Sequence, residues 1–384
     1  MLMLLAMLVA CNGNDGNDPD TDTSDVGTDS ESSASADLDT YDWSGNVTLV
    51  NRVEDPAQAD YTLSTEALVE GTLTIEAGVR IDIAATGTFL VSGGTFNSNG
   101  TEAAPVILDG GFGVILRTGT HTLTHTQIVN AGQGTELLQQ NAAALTLGLD
   151  NLQATATLDH VSLIDSEAVG LWADTGSSFT ATALTISGTG EEYAVVTDYA
   201  QLGMFGSDLS LAEGTNPTVR SRAYTELEAD STFDFPHAPV VLEDDLVITD
   251  TGSLTIAAGT ELRFPAASGL YANGTLIANG TAEAPVLLTG AAGTAGSWIG
   301  VQILNASNNS LTHTTIQYGG ADLFGYEDGN LIMGGDLAPS AITLTNVHIA
   351  DSAAWGIVAI NMVVNDLDLS TVTFSNNASG NAMD

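Results

Sequence analysis

The chain has no lysine and only six arginines against 48 acidic residues, so its 384 residues carry a formal net charge of −42. Because nucleic-acid binding needs clustered Lys and Arg, this balance excludes nucleic acid as a partner. No P-loop and no G-x-G-x-x-G after a strand is present, so nothing implies a nucleotide, haem or flavin. Aromatic residues are scarce at 6%, and no segment shows an apolar stripe at helical spacing. The abundant Gly, Thr, Ser and Asn instead indicate many short strands joined by turns.

A long internal repeat is the main positive feature. Residues 71–110 recur with drift at 252–290, HTLTHTQIVNAG at 121–132 matches NSLTHTTIQYGG at 309–320, and TLDHVSLIDSEAVGLWA at 157–173 matches TLTNVHIADSAAWGIVA at 343–359. Such repeats indicate an array in which each unit completes the core of its neighbour. We therefore expect one continuous solenoid built by duplication.

A shorter pattern recurs inside both copies. It consists of a Leu, two residues that fit a bend, and a short strand with one face inward. It begins at Leu123, Leu158, Leu311, Leu344 and Leu369. Seven residues past the Leu, turn-forming residues stand at Asn130, Asp165, Asp351 and Asn376. A second strand pattern is centred on a glycine, as in Phe112-Gly113-Val114 and Trp298-Ile-Gly300-Val301.

Short strands with glycine and asparagine at equivalent bends are typical of an all-β, right-handed parallel β-helix. From about residue 45 to 384 the chain resembles the pectin-lyase-like superfamily, and in particular bacterial surface lipoproteins. The motifs that carry this resemblance are Leu254-Thr-Ile256, Ala258-Gly259-Thr260, Leu262-Arg-Phe264, Asn273-Gly-Thr-Leu276, Asn279-Gly280-Thr281, Pro285-Val286 and Trp298-Ile-Gly300. We expect ten to fourteen coils, which at about 4.8 Å each form a rod of roughly 50–65 Å.

The first residues resemble the export signal of a bacterial lipoprotein. The apolar run MLMLLAMLVA is too short to span a bilayer and ends at Cys11, the only cysteine. Leu8-Val9-Ala10-Cys11 resembles a lipobox, which implies lipidation at Cys11 and anchoring at the outer membrane or cell surface. A basic residue before the apolar run is missing, since Arg52 is the first. The alternative is a buried free thiol.

Residues 12–42 contain ten acids and no base, and such a low-complexity stretch cannot bury enough apolar surface to fold. We expect a disordered tether there. Its NDGNDPDTD run lacks the spacing of an EF-hand, so calcium is a cofactor that the acidity allows but no specific motif requires. The predicted organisation is a signal segment at 1–11, the linker at 12–42, one β-helix copy at 43–230 and a second at 231–384.

Three sets of residues deserve comparison with the catalytic and metal sites of β-helix enzymes. His125, His160 and His313 share one repeat position, but copy-related histidines would lie coils apart, which favours stacked turn residues over a metal site. Arg220 and Arg222 are the only paired bases, without an acid cluster at a convincing spacing. Asp244 and Asp245 would point to opposite faces of a regular strand. We therefore predict no catalytic and no metal-binding residues.

Both copies carry an insertion at the same place, after Ala131-Gly132 and after Gly319-Gly320. Equivalent corners of a solenoid should put both loops on one face, where such proteins usually bind. The second loop supplies the candidate ligand-binding residues Tyr318, Asp322, Phe324, Tyr326, Glu327 and Asp328. Aromatic rings stack on sugars and carboxylates accept hydroxyl hydrogen bonds. The alternative is that these rings only cover the edge of a coil.

The sequence therefore predicts a lipid-anchored surface protein with a structural, adhesive, or glycan- or partner-binding role. The competing prediction is a polysaccharide lyase or glycoside hydrolase, because this scaffold also carries such enzymes.

Overall fold

A computed structural model describes residues 35–133, 142–191, 193–211, 218–222, 225–304, 308–321, 328–334, 340–360 and 367–383. The described chain forms short parallel strands in four stacked sheets, which confirms the predicted all-β parallel solenoid. Strands that pair are generally three apart in chain order, so each coil contributes three strands. Within these residues two 3₁₀ helices interrupt the strands, at Leu38–Thr40 and Tyr199–Met204.

The strands of the first half divide between two sheets. Sheet A consists of Ala36–Asp37, Asn46–Leu49, Tyr61–Leu63, Thr72–Glu76, Arg80–Ile83, Thr95–Asn99, Val106–Gly110, Gly119–Val129, Ala154–Ile164, Ser178–Thr182, Thr185–Ser187 and Ser210–Leu211. Sheet B begins with Glu66–Val69, Thr88–Val91, Gly113–Leu116, Ala143–Leu147, Val169–Ala173, Val195–Asp198 and Val219–Arg222.

Sheet B continues without a break into the second half, and two further sheets begin there. Its remaining strands are Val240–Leu242, Glu261–Phe264, Val286–Gly290, Thr314–Gln317, His348–Ala350 and Thr373–Ser375. Sheet C consists of Thr225–Leu227, Leu246–Ile248, Gly269–Ala272, Gly300–Ile303, Gly329–Met333, Trp355–Ala359 and Gly380–Met383. Sheet D consists of Asp230–Phe233, Ser253–Ala257, Thr275–Asn279, Asn309–Thr312 and Ile342–Thr345.

Sheet B has 13 strands, one for each coil. At about 4.8 Å between strands they span roughly 58 Å, within the predicted length. Alternate residues along the strands point into one continuous apolar core, as Leu254 and Ile256 do. Leu38 is also fully buried, and Ala36–Asp37 already pairs with Tyr61 and Thr62. The folded body therefore begins inside the range that the sequence assigned to the linker.

The left-handed bends follow the predicted repeat. The residues two past the rung Leu at His125, His160, His313 and Asn346 all have φ between 42° and 54°. The residues seven past it at Asn130, Asp165, Asp351 and Asn376 have φ between 50° and 55°. Asn and Asp tolerate this conformation because their short side chains bond locally to the backbone. The periodic spacing of these residues thus sets the corners of the coil.

The two copies are turned by one face of the coil relative to each other. Strand Gly113–Leu116 lies in sheet B, whereas its counterpart Gly300–Ile303 lies in sheet C. The change occurs at Val219–Arg222, which pairs with Val195–Asp198 on one side and Val240–Leu242 on the other. Before strand Val219–Arg222 the chain forms the 3₁₀ helix Tyr199–Met204 at a point where the preceding coils have a strand of sheet A. The strand-to-strand hydrogen bonding of sheet A is interrupted there, and sheets C and D begin beyond it.

This turn corrects the expectation that both insertions emerge on one face. In the first copy the insertion connects strand Gly119–Val129 of sheet A with Ala143–Leu147 of sheet B. In the second copy it connects Thr314–Gln317 of sheet B with Gly329–Met333 of sheet C. The two insertions therefore connect different pairs of sheets.

Candidate functional site

The predicted aromatic loop belongs to the chain segment between strand Thr314–Gln317 of sheet B and strand Gly329–Met333 of sheet C, a junction that we call the B–C corner. Asp322, Phe324, Tyr326 and Glu327 lie outside the described residues. Tyr318 and Asp328 mark the two ends of this corner, and both are half-buried. The Asp328 carbonyl accepts a hydrogen bond from the Trp355 N–H at 3.1 Å, which fixes the exit from the corner to the next coil.

Tyr318 occupies a left-handed turn position. Its φ is 65°, and it stands seven residues past Leu311, where the other repeats have Asn or Asp. Its direct counterpart in the first copy is Asn130, with φ 53°. A left-handed φ costs a residue with a bulky side chain about 1–2 kcal/mol, which Asn largely avoids. The second copy thus holds an aromatic ring at a corner where a more stable residue type is used elsewhere.

A buried asparagine supports the corner from below. Asn330 is fully buried; its Oδ1 accepts from the Gly319 N–H at 2.7 Å and its Nδ2 donates to the Ala350 carbonyl at 2.7 Å. The first copy has the apolar Ala144 at this inward position. Sequence reasoning missed Asn330, although a polar residue at a core position of the repeat was a usable signal. Through these two hydrogen bonds the Asn330 amide connects Gly319, the residue after Tyr318, to Ala350 on the next coil.

Trp298 anchors the coil beneath. Its indole is fully buried and stacks on Phe264 with ring centroids 4.5 Å apart, while Nε1 donates to the Gln317 carbonyl at 2.8 Å. Gln317 immediately precedes Tyr318. In the first copy Gly111 stands at this position, and an added Cβ there would lie 2.4 Å from Ile83 Cγ2. The stacked pair therefore gives the Tyr318 corner a rigid base that the first copy lacks.

The corresponding corner of the first copy is a polar cleft of about 480 Å³. It is lined by charged and amide side chains that include Arg80, Asp82, Asp109, Asn130, Asp165 and Glu167. Arg80 forms ion pairs with Asp82, at 3.0 Å, and with Asp109. Asn130 Nδ2 donates to Asp109 Oδ1 at 2.8 Å. The described lining includes no aromatic ring, so the two corners differ in chemistry as well as in position.

Arg220, one of the two possible catalytic bases, is engaged with neighbouring side chains. Arg220 forms an ion pair with Glu243, and its guanidinium carbon lies 5.6 Å from the centre of the Tyr193 ring. The side chain of Arg222 lies outside the described residues. Glu243 supplies an acid next to Arg220 that sequence spacing did not reveal. A guanidinium held by a carboxylate and a ring is poorly placed to remove a proton from a sugar.

Asp244 lies in a bend after strand Val240–Leu242, and Asp245 lies between that bend and strand Leu246–Ile248, so neither is within a strand. Asp244 is exposed, whereas Asp245 Oδ1 accepts from the Gly269 N–H at 2.8 Å. Burial raises the pKa of Asp245, and the charge of Asp244 adds to this rise. Asp245 thus connects its own coil to the next one through this hydrogen bond to the Gly269 backbone.

The repeat-position histidines stack, as the sequence favoured. The rings of His125 and His160 lie 4.5 Å apart at 25°, and His160 Nδ1 contacts Asp159 Oδ1 at 2.8 Å. In the second copy His313 Nε2 contacts Asn346 Nδ2 at 3.1 Å. Within the described part of the chain, no group of three or more His, Cys, Asp or Glu residues is placed to hold a metal ion.

The chain matches no known protein-family model, no curated protein and no solved structure. Cys11 lies outside the described residues, so the lipobox resemblance stays a prediction. Among the described residues, no helix is both long and apolar enough to cross a membrane.

Proposed function

We propose that this chain is a non-catalytic, lipid-anchored surface protein whose β-helix presents a glycan-binding corner. In this proposal Cys11 carries the lipid at the bacterial outer membrane or cell surface and residues 12–34 act as the tether. The observation that carries the binding role is the left-handed Tyr318. Strained backbone conformations cluster at functional sites, where the strained residue has a role in binding or catalysis. An aromatic ring at a loop corner is suited to stacking on a sugar.

Tyr318 is half-buried and packs against the main core, so in this proposal only the exposed part of the ring contacts a ligand. Trp298, Phe264 and Asn330 hold the corner rigid, so little ordering entropy is lost when a ligand is bound. The acidic residues of the predicted loop would accept hydrogen bonds from sugar hydroxyls. With a net charge of −42, the protein would repel uronic-acid polymers, which favours a neutral glycan.

Replacing Tyr318 with Asn tests the corner, because Asn is the residue at the same position in the first copy. The full chain carrying Cys11→Ser would be the soluble parent. Binding to a neutral β-glucan, a galactomannan and polygalacturonate would be measured with and without calcium. We expect Tyr318→Asn to weaken binding to the best neutral polymer about tenfold, because the stacking ring is lost. Equal binding by parent and variant would refute the corner as the site.

The competing role is a polysaccharide hydrolase, and the raised pKa of Asp245 beside Asp244 is the observation that favours it. Newly formed reducing ends would be counted in the same assay. We expect none. New ends that disappear in Asp245→Asn would replace the binding role with a catalytic one.

The anchor is tested separately in a bacterial host that processes lipoproteins. We expect the unmodified chain in the membrane fraction with covalently attached fatty acid, because one thioether-linked lipid group and its acyl chains bind the bilayer strongly. Cys11→Ser should move the protein to the soluble fraction. Equal fractionation of both proteins would mean that Cys11 is no anchor, without affecting the glycan-binding proposal.

A further inference from the structure

The first copy carries a second cleft, of about 280 Å³, along sheet A. It shares no lining residue with the polar cleft around Arg80. Its lining includes the stacked rings of His125 and His160, so we call it the histidine cleft. Each of its nine described lining residues is half-buried or exposed, and the side chain of His160 is 51% exposed. A ligand can therefore reach the groups that line it.

Uncharged side chains from three successive coils form one row of the histidine cleft. Gln127 pairs in register with Ser162, which in turn pairs in register with Thr185. Because residues in register on parallel strands lie on one face, this amide and these two hydroxyls repeat at about 4.8 Å. Among the described residues, no side-chain hydrogen bond engages any of the three groups. The row is thus available for a ligand that donates and accepts hydrogen bonds.

The residues two positions earlier in each coil form the corner of the cleft. His125, His160 and Ala183 all have a left-handed φ, of 42°, 54° and 50°. His160 Nδ1 lies 2.8 Å from Asp159 Oδ1. Because a carboxylate only accepts, Nδ1 carries the proton, and in the neutral ring Nε2 is then an acceptor. Asp159 thus fixes the hydrogen-bonding character of the exposed imidazole.

The histidine cleft is nearly uncharged although the chain is strongly acidic. Glu102 is the only acid among its nine described lining residues, and no arginine is present there. A cation would meet a single carboxylate, and the net charge of −42 would repel an anion. Hydroxyl and amide groups both donate and accept, as the hydroxyls of a sugar do. The volume lies just below the usual range of small-molecule pockets, about 300–1,000 Å³, which suits a short neutral saccharide.

The second copy uses the same positions for internal hydrogen bonds. There His348 stands in place of Ser162. Its Nδ1 lies 2.8 Å from Thr373 Oγ1 and its Nε2 lies 3.2 Å from Ser375 Oγ. A ligand would have to break these contacts before it could bond the same groups. The open row is therefore a property of the first copy.

We propose that the histidine cleft is a second saccharide-binding site. In it Gln127, Ser162 and Thr185 bond successive hydroxyls of a short neutral saccharide, and His160 Nε2 accepts from a further hydroxyl. The proposal rests on the proposed glycan-binding function for the class of ligand, but it does not require the Tyr318 corner. It assigns to the first copy a site that recognises hydroxyl groups without the stacking ring of the second.

His160→Asn in the Cys11→Ser parent tests the cleft, because it installs the second copy's residue at a left-handed position. Asn346 holds a φ of 52° there and contacts the His313 ring, so the variant should fold and should bond His125 in the same way. Cellotriose and mannotriose would be titrated at fixed pH while the imidazole C–H signals of the six histidines are followed by NMR. In the parent we expect the signals of His125 and His160 to shift while that of His313 stays. His160→Asn should weaken the binding measured at His125 about tenfold.

Two further variants separate binding from folding. Ser162→Ala removes one half-buried hydroxyl and nothing else, so we expect a few-fold loss of binding with an unchanged melting temperature. Asn346→His is the reciprocal control in the second copy. It should leave binding unchanged, because His348 still occupies the neighbouring hydroxyls.

The outcomes distinguish the histidine cleft from the Tyr318 corner. Shifts of His125 and His160 that persist in Tyr318→Asn would support the cleft, whatever that variant does to polymer binding. A parent that binds a neutral polymer without these shifts would overturn the cleft and leave the corner standing. An equal shift of His313, or trisaccharide binding unchanged in both His160→Asn and Ser162→Ala, would also overturn the cleft.

Discussion

The two copies share one repeat but make different choices at three matched positions. Where the first copy has Asn130, Ile115 and Gly111, the second has Tyr318, Gln302 and Trp298. The first copy's Asn and Ile suit a left-handed turn and an apolar face. The second copy accepts a strained Tyr and an unpaired amide, supported by a large buried indole. At these positions the second copy thus carries groups that stability alone does not favour, and the first copy does not.

The copies also differ in orientation. Because the second is turned by one face, its insertion emerges between sheets B and C and not between A and B. The two insertions therefore do not follow the same pair of sheets, and they cannot be treated as one combined binding surface. Each corner has to be considered as a separate site, and the chemistry of the first, with Arg80 between two acids, is unlike that of the second.

The largest difference we expect between the copies is the stability that the buried Trp298 side chain contributes, because the first copy has Gly111 at that position. Trp298→Ala should lower the free energy of unfolding by about 3–5 kcal/mol, because it removes a fully buried ring and its stacking on Phe264. Urea unfolding followed by circular dichroism would measure it, with both halves monitored since a repeat array can unfold stepwise. Leu152→Ala, at a side chain 38% exposed, is the control. A loss for Trp298→Ala no larger than the control's would refute the supporting role of the indole.

The second difference is acid sensitivity. His121 in the first copy is buried, with Nδ1 accepting from the Phe96 N–H at 3.2 Å and Nε2 3.0 Å from the Thr118 carbonyl. Its counterpart Asn309 does not titrate; its Oδ1 accepts from the Leu276 N–H at 2.8 Å, and its Nδ2 donates to the Ala341 carbonyl of the next coil at 3.0 Å. Burial lowers the pKa of His121 to about 4, although the bond to Thr118 opposes this.

A folded pKa below the unfolded value means that His121 binds its proton more readily in the unfolded state. Its contribution to stability is therefore complete above pH 6.5 and is lost as the pH falls toward 4, by up to roughly 3 kcal/mol. His121→Asn should flatten the profile of unfolding free energy between pH 6.5 and 4 relative to the unmodified chain. Parallel profiles for the two proteins would contradict this assignment.

The sequence was sufficient for the parallel solenoid and for the left-handed residues at Asn130, Asp165, Asp351 and Asn376, because both follow from repeat spacing. Tyr318 shares that spacing, but an aromatic residue does not resemble a turn former, so it was assigned to the loop alone. Asn330 and Gln302 escaped notice because their burial depends on how coils stack. The turn between copies depends on the helix Tyr199–Met204, which lies outside the repeated pattern, and the bend at Asp244 and Asp245 follows that junction.

Paired measurement of stability and binding in Tyr318→Asn tests the central claim most directly. We expect the unfolding free energy of the variant to stay within about 1 kcal/mol of the parent's, because relief of the left-handed strain offsets the lost packing of the ring against the core, and we expect binding to the neutral polymer to weaken about tenfold. The reciprocal Asn130→Tyr should lose about 1–2 kcal/mol and leave binding unchanged. A less stable Tyr318→Asn variant that binds as well as its parent would show that the ring only covers the edge of the coil.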